Sequence, residues 1–213
     1  MALSPMMQQY MKIKEQYKDT LVFYRLGDFY EMFFDDAIVA SRELELTLTG
    51  RDCGLTERAP MCGVPFHAVE SYIAKLLEKG YKVAICEQTT KPGDQKGIVE
   101  RKIIREVTPG TKIDSEMLVD NVNNYLMSIY YSEGAAGVSW VDISTGEFNH
   151  VQLDAQVALN LNELLARVAP SEIICNGEMF ARSTELSIVK FGGVCPFSAF
   201  DESAFAYENA LEC

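Results

Sequence analysis

The residues best suited by type and spacing to chemistry lie between Arg25 and Ala37, in the run Arg-Leu-Gly-Asp-Phe-Tyr-Glu-Met-Phe-Phe-Asp-Asp-Ala. Phe29 and Glu31 stand two apart. An extended backbone points such a pair the same way, whereas a helix sends the two side chains to different faces. Two readings stay open. Either the aromatic cluster fills a core, or the segment stays extended and projects a stacking ring beside a hydrogen-bonding carboxylate. Gly27 lets the main chain approach a neighbour closely. An apolar wedge with an adjacent polar reader is the apparatus for entering a DNA base step and testing what is found there.

Other chemistries have less behind them. The sequence holds no G-x-x-x-x-G-K-[ST], G-x-S-x-G or H-E-x-x-H, so the phosphate-cradling loop, the serine elbow and the zinc-protease helix are all missing. His67 could serve Cys62 as co-ligand or base, or simply pack at a helix start. Asp142 and Glu147 could form a metal-binding carboxylate pair, the basis of a rival reading as a metal-dependent nuclease, or be plain residues of a solvated hairpin. Six cysteines, at 53, 62, 86, 175, 195 and 213, include no C-x-x-C pair, and only two histidines accompany them. That scatter argues against structural zinc, a chain this long can build its own core without a disulfide scaffold, and buried or free thiols are predicted.

With 213 residues, 48% apolar and 23% charged, the chain is an ordinary globular sequence of one or two domains. No run approaches the roughly 18 apolar residues needed to cross a bilayer. The first residues lack the basic and apolar regions of a secretory signal, so a cytoplasmic protein without membrane contact is expected. The net charge of −12 is unevenly placed. Up to Ser115, 16 Lys and Arg stand against 17 Asp and Glu; beyond it, 3 stand against 14. Two units with different surroundings are implied. The first could touch a phosphate backbone locally, and the second would be repelled by one.

The elements that must hold these residues follow from pattern. Ser4-Pro5 predicts a capped helix start running to about Tyr17. Leu21–Leu26 reads as a strand ended by Gly27-Asp28, and residues 30–46 carry Phe33, Ala37, Ala40 and Leu44 at helical spacing. Residues 49–60 read as a polar loop. Val69, Tyr72, Ile73, Leu76 and Leu77 mark a helix closed by Gly80. Tyr81–Cys86 and Ile98–Val107 read as strands on either side of a loop from Lys91 to Gly97. After a linker come three runs, 125–131, 136–143 and 147–153, separated by Glu133-Gly134 and Ser144-Thr145-Gly146 as in an antiparallel meander. Asp154 is expected to cap a helix with Val157, Leu161, Leu164, Leu165 and Val168 on one face. Residues 172–175 and 186–191 read as further strands, and the last twenty residues show no closing element.

Gly27-Asp28-Phe29-Tyr30-Glu31-Met32-Phe33 resembles the G-D-F-Y-E-x-F signature of the MutS family of DNA mismatch-recognition proteins. Pro5–Tyr10 is similar to the family's N-terminal helix, and Met61–Glu70 to its M-x-G-[IV]-P-[YF]-H-A-x-[ED] segment. Val83–Gln88 and Val107–Thr111 match two more blocks in the expected order. The resemblance implies an α/β (α+β) fold: a mixed-sheet mismatch-reader domain over residues 1–113, a linker over 114–124, and a ribonuclease-H-like connector over 125–213, truncated at its end. It assigns Phe29 to stacking on a mispaired base from the minor groove, and Glu31 to a hydrogen bond with that base. Candidate DNA backbone contacts are Asp28, Arg51, Lys96, Arg101, Lys102 and Arg105, with Arg101 and Arg105 expected on one face of their strand.

The implied partners are mismatched double-stranded DNA, MutL at the connector, and a second copy in the full-length protein. No cofactor is expected in this segment, since ATP and Mg belong to an ATPase domain beyond it, and no catalysis is expected of it. Residues 125–131 contain none of the aspartate that nucleases of the ribonuclease-H type carry in their first strand. The acidic charge makes duplex binding by the segment alone weak. A protein-interaction module without DNA contact is the remaining alternative.

Overall fold

A computed structural model describes residues 2–89, 99–112, 122–184 and 195–211. The chain divides into two units, Met1–Thr108 and Pro109–Cys213, each built on one mixed sheet. The mixed α/β class expected from the sequence is what the chain adopts. The loop from Lys91 to Gly97, most of the 114–124 linker and the strand expected over 186–191 fall outside the described residues.

In the first unit, α1 (Pro5–Lys14) precedes the hairpin β1 (Thr20–Leu26) and β2 (Phe29–Phe33). There follow α2 (Phe34–Leu44), β3 (Thr49–Arg51), β4 (Ala59–Pro65), a 3-10 turn at Phe66–Ala68, α3 (Val69–Glu78), β5 (Lys82–Gln88) and β6 (Arg101–Val107). The six strands lie in the order β3-β4-β2-β1-β5-β6. Only β1 and β5 run parallel; the crossover between them carries α2 and α3, as parallel pairing requires.

Side chains alternate across this sheet. Val22, Tyr24, Phe33, Ala84 and Cys86 share one face with Met7 and Tyr10 of α1. On the other, the Cys62 thiol donates to the Ala37 carbonyl of α2 at 3.5 Å. Buried Asp36 ties three elements together. It accepts from the Tyr10 hydroxyl at 3.1 Å and the Val22 amide at 3.0 Å, and pairs with Lys14 at 2.8 Å.

Several expectations change here. Residues 29–33 are strand, not the start of a helix, and α2 begins only at Phe34, whose φ of +52° makes the break. The loop expected over 49–60 contains β3 and the first residues of β4. Ser4 stands at the N-cap of α1, but its side chain makes no capping bond, and the helix ends at Lys14. There the lysine ammonium bonds the carbonyls of Tyr17, Lys18 and Thr20.

The second unit holds β7 (Tyr125–Ser132), β8 (Ala135–Asp142), β9 (Glu147–Leu153), α4 (Val157–Val168), β10 (Glu172–Cys175), α5 (Gly177–Arg182), β11 (Phe197–Ala199), a 3-10 turn at Glu202–Phe205 and α6 (Tyr207–Leu211). The meander β7-β8-β9 is antiparallel as expected. Then β10 joins β7, and β11 joins β10, both in parallel. Met127, Ile129, Val138, Leu161, Leu164 and Ile173 form the core. Asn176 caps α5 and also closes the end of β7, accepting from the Tyr131 amide and donating to its carbonyl, each at 3.0 Å. Here too the structure departs from expectation. Gln156, not Asp154, is the N-cap residue of α4, and the last residues, read as carrying no further element, include β11, which joins β10, and the short helix α6.

Candidate nucleic-acid interface

The β1–β2 hairpin turns on two residues, Gly27 and Asp28, with Leu26 opposite Phe29. Gly27 has φ +58°, and a Cβ placed on it would meet nothing within 4 Å. Glycine is needed there for its backbone conformation, not for space, as at the first position of a type II′ hairpin. Phe29 follows directly. The residue is 48% exposed, while Tyr30 and Met32, alternating to the other face, are buried. Phe29 and Glu31 therefore share one face, the spacing argument's extended case. The ring stands at the hairpin tip and the carboxylate one pleat behind.

Arg25 braces that tip. Its Nε donates to the Gly27 carbonyl at 2.6 Å, and its guanidinium lies 3.9 Å from the centre of the Phe66 ring and 3.5 Å from Glu87. The Tyr30 hydroxyl donates to the same Glu87; burial, with Glu87 beside it, holds that phenol well above its ordinary pKa. From the β4 side, the Phe66 amide donates to the Asp28 carbonyl at 3.0 Å. The turn is thus held from both flanks, with Asp28 itself exposed.

The expected cations divide between the two faces. Arg51 lies on the Phe29 face, where its guanidinium pairs with Glu31. Arg101, 8% exposed, sits over the Tyr24 ring at 4.9 Å. It donates to the carbonyls of Arg25 at 2.8 Å and Val99 at 3.0 Å, and to the Gln9 side chain. These bonds steady the base of the hairpin.

Arg101 and Arg105 do not share a face. A register shift between Ile85 and Cys86 puts Arg101 opposite Gln88 and Arg105 opposite Ile85, and Arg105 turns to Glu70 at 3.7 Å. Lys102, exposed, lies 3.3 Å from Glu100. Lys96 is outside the described residues. Arg25 and Phe66 went unassigned on sequence. The available signals were an arginine two residues before the turn glycine and an aromatic within the Gly-Val-Pro-Phe-His block.

The rival sites do not assemble. Cys62 is buried and His67 exposed. Burial, then the charge of Asp36, pushes the thiol up to about 11, away from nucleophilic use; the imidazole packs edge-on against Phe66. Asp142, expected on a solvated hairpin, is 1% exposed. Burial alone would raise its pKa. The Ser144 hydroxyl and the amides of Asn124, Ser144 and Thr145 outweigh that and hold the carboxyl below its usual range. Asp142 is thereby the cap of the β8–β9 turn. Glu147 instead meets Asn123, Tyr125 and Asn149. Among the described residues no cluster of three or more His, Cys, Asp or Glu is arranged to hold a metal ion, and the five described cysteines are free thiols.

Comparison with known proteins agrees with this architecture. Residues 4–116 match the description MutS domain I, and residues 124–213 match MutS domain II. A DNA mismatch repair protein MutS from Acetivibrio thermocellus is 62% identical over 180 residues, 84% of this chain and 21% of the relative. One from Ruminiclostridium cellulolyticum is 53% identical over 211 residues, 99% of this chain and 24% of the relative. The chain thus spans about a fifth to a quarter of the length of these curated relatives. Two consecutive domain matches in this order, one of them over the sheet that presents Phe29, place the chain in the MutS family.

Proposed function

We propose that this chain reads mismatched DNA for mismatch repair. Phe29 wedges into the minor groove and stacks on a mispaired base, and Glu31 hydrogen-bonds the same base. The observation that carries the reading is the half-exposed Phe29 ring at a braced hairpin tip, with Glu31 on its face. Opening a base step and bending the duplex costs a few kcal/mol, and less where pairing is already defective. Stacking on the ring, worth about 1–3 kcal/mol, offsets part of that cost. Discrimination then comes from how easily the duplex deforms, not from base sequence. A carboxylate at the groove disfavours intact duplex, so Glu31 also works against the wrong substrate.

Phosphate contacts come from the half-exposed and exposed cations. The second unit acts as the connector, its acidic surface suited to a protein partner, MutL. Nucleotide hydrolysis with ATP and Mg, and pairing with a second copy, belong to a longer, cytoplasmic protein; this segment itself catalyses nothing.

The test uses a chimera in which this chain replaces the matching segment of the Acetivibrio thermocellus relative. Affinities for mismatched and fully paired duplex are compared. Phe29→Ala and Glu31→Ala are each expected to reduce the affinity ratio about tenfold or more, the loss of roughly one stacked or hydrogen-bonded base contact. An unchanged ratio in both variants overturns the reading and leaves a protein-interaction module.

A further inference from the structure

The Glu31 carboxylate does not stand alone behind Phe29. Its Oε2 is held by the Arg51 guanidinium, although Glu31 is on β2, Arg51 on β3, and β4 runs between them. The β4 residue opposite Glu31 is Gly63. A Cβ there would lie 3.4 Å from Glu31 Cγ and 3.2 Å from the Tyr30 carbonyl oxygen. Glycine at this position therefore opens a gap across which the glutamate side chain lies towards Arg51. The pair is sheltered, with the glutamate side chain 15% and the arginine side chain 36% exposed. Of the expected cations described, Arg51 is the reachable one on this face, because Arg101 is buried and Lys102 and Arg105 lie on the other.

We propose that Arg51 is the positioning residue of Glu31: bound to one carboxylate oxygen across the Gly63 gap, it fixes the direction of the carboxylate and leaves the other oxygen for the base. This rests on the proposed function and assigns Arg51 a part that a phosphate contact does not have. A phosphate contact contributes equally whatever stands at position 31. A positioning arginine contributes only through the carboxylate, since removing one partner of a sheltered pair leaves the other charge uncompensated.

The experiment is a double-mutant cycle in the chimera, reading the mismatched-over-paired affinity ratio. Arg51→Gln is expected to lower the ratio about tenfold when Glu31 is present and less than about twofold beside Glu31→Gln, with Arg51→Lys restoring part of the loss. Gly63→Ala, which crowds the glutamate, is expected to lower the ratio in the same dependent way. An equal loss on both backgrounds overturns the coupling, and so does an unchanged ratio with affinity for both duplexes lowered alike, which makes Arg51 a plain phosphate contact. Phe29→Ala, run alongside, separates the two failures. An unchanged ratio there defeats the wedge itself, whereas a lost ratio there with additive Arg51 effects defeats only the positioning role. The unfolding midpoint of Phe29→Ala is expected to match the parent, as exposed substitutions usually do, and each pair variant is compared at a temperature well below its own midpoint.

Discussion

An exposed phenylalanine ring has little reason to hold one position unless its backbone is held, and here Arg25 does the holding. Hydrogen bonding to the Gly27 carbonyl, stacking on Phe66 and pairing with Glu87 converge on one guanidinium. Lysine cannot reproduce the planar stack with a bent donor. Arg25→Ala is therefore expected to loosen the tip without unfolding the sheet. Amide exchange measures this. The Phe66 N–H, bonded to the Asp28 carbonyl, should exchange about tenfold faster in the variant, while the buried amide of Val22, bonded to Asp36, should not change. Equal exchange at Phe66 in both proteins would mean that the turn holds itself. Spacing puts Phe29 and Glu31 on one face only in the extended reading, which stands open beside a core-filling one; the strand at 29–33 decides between them. The arginine that pairs with the glutamate was not read as its partner, because a contact across an intervening strand leaves no local pattern.

At the scale of elements, the clearest departure is the β2–α2 junction. Phe33, Ala37, Ala40 and Leu44 keep helical spacing through a boundary that the backbone breaks at Phe34, and hydrophobic period cannot show a single left-handed residue. Strands of three residues such as β3 and β11 are likewise too short to alternate visibly. Their partners β4 and β10 supply the pairing. The long amphipathic helices α3 and α4 and the β7-β8-β9 meander carried strong periodicity and were placed within a residue or two.

The β8–β9 turn allows a test of its own. Asp142 has a folded pKa below its usual value, so its stabilisation is present above that value and is lost as pH falls through the folded one. The thermal midpoint of the second unit should accordingly drop on acidification from pH 5 towards pH 3, and Asp142→Asn should drop less over the same interval. Parallel curves would remove the turn cap from the account.

Taken as a whole, the chain separates charge as it separates sheets. The nearly balanced first unit carries the hairpin, and the strongly acidic stretch beyond Ser115 lies in the second. Of the expected cations described on the wedge face, Arg101 is buried and Arg51 is engaged with Glu31. Under the proposed function, affinity comes largely from a longer protein around the duplex, and selectivity from the hairpin. Family and fold class were legible because the signature blocks sit in turns and short strands whose residue types are dictated by backbone geometry, as at Gly27. The division of Arg101 and Arg105 between faces was not, because one bulge in β6 reverses the alternation.

The most direct measurement places 2-aminopurine at a mismatch and follows its fluorescence as the chimera binds. Insertion of the Phe29 ring predicts a change in emission that is absent with fully paired duplex and absent with Phe29→Ala at saturating protein. The same change in the parent and in Phe29→Ala would contradict the account, since some other group would then be entering the stack.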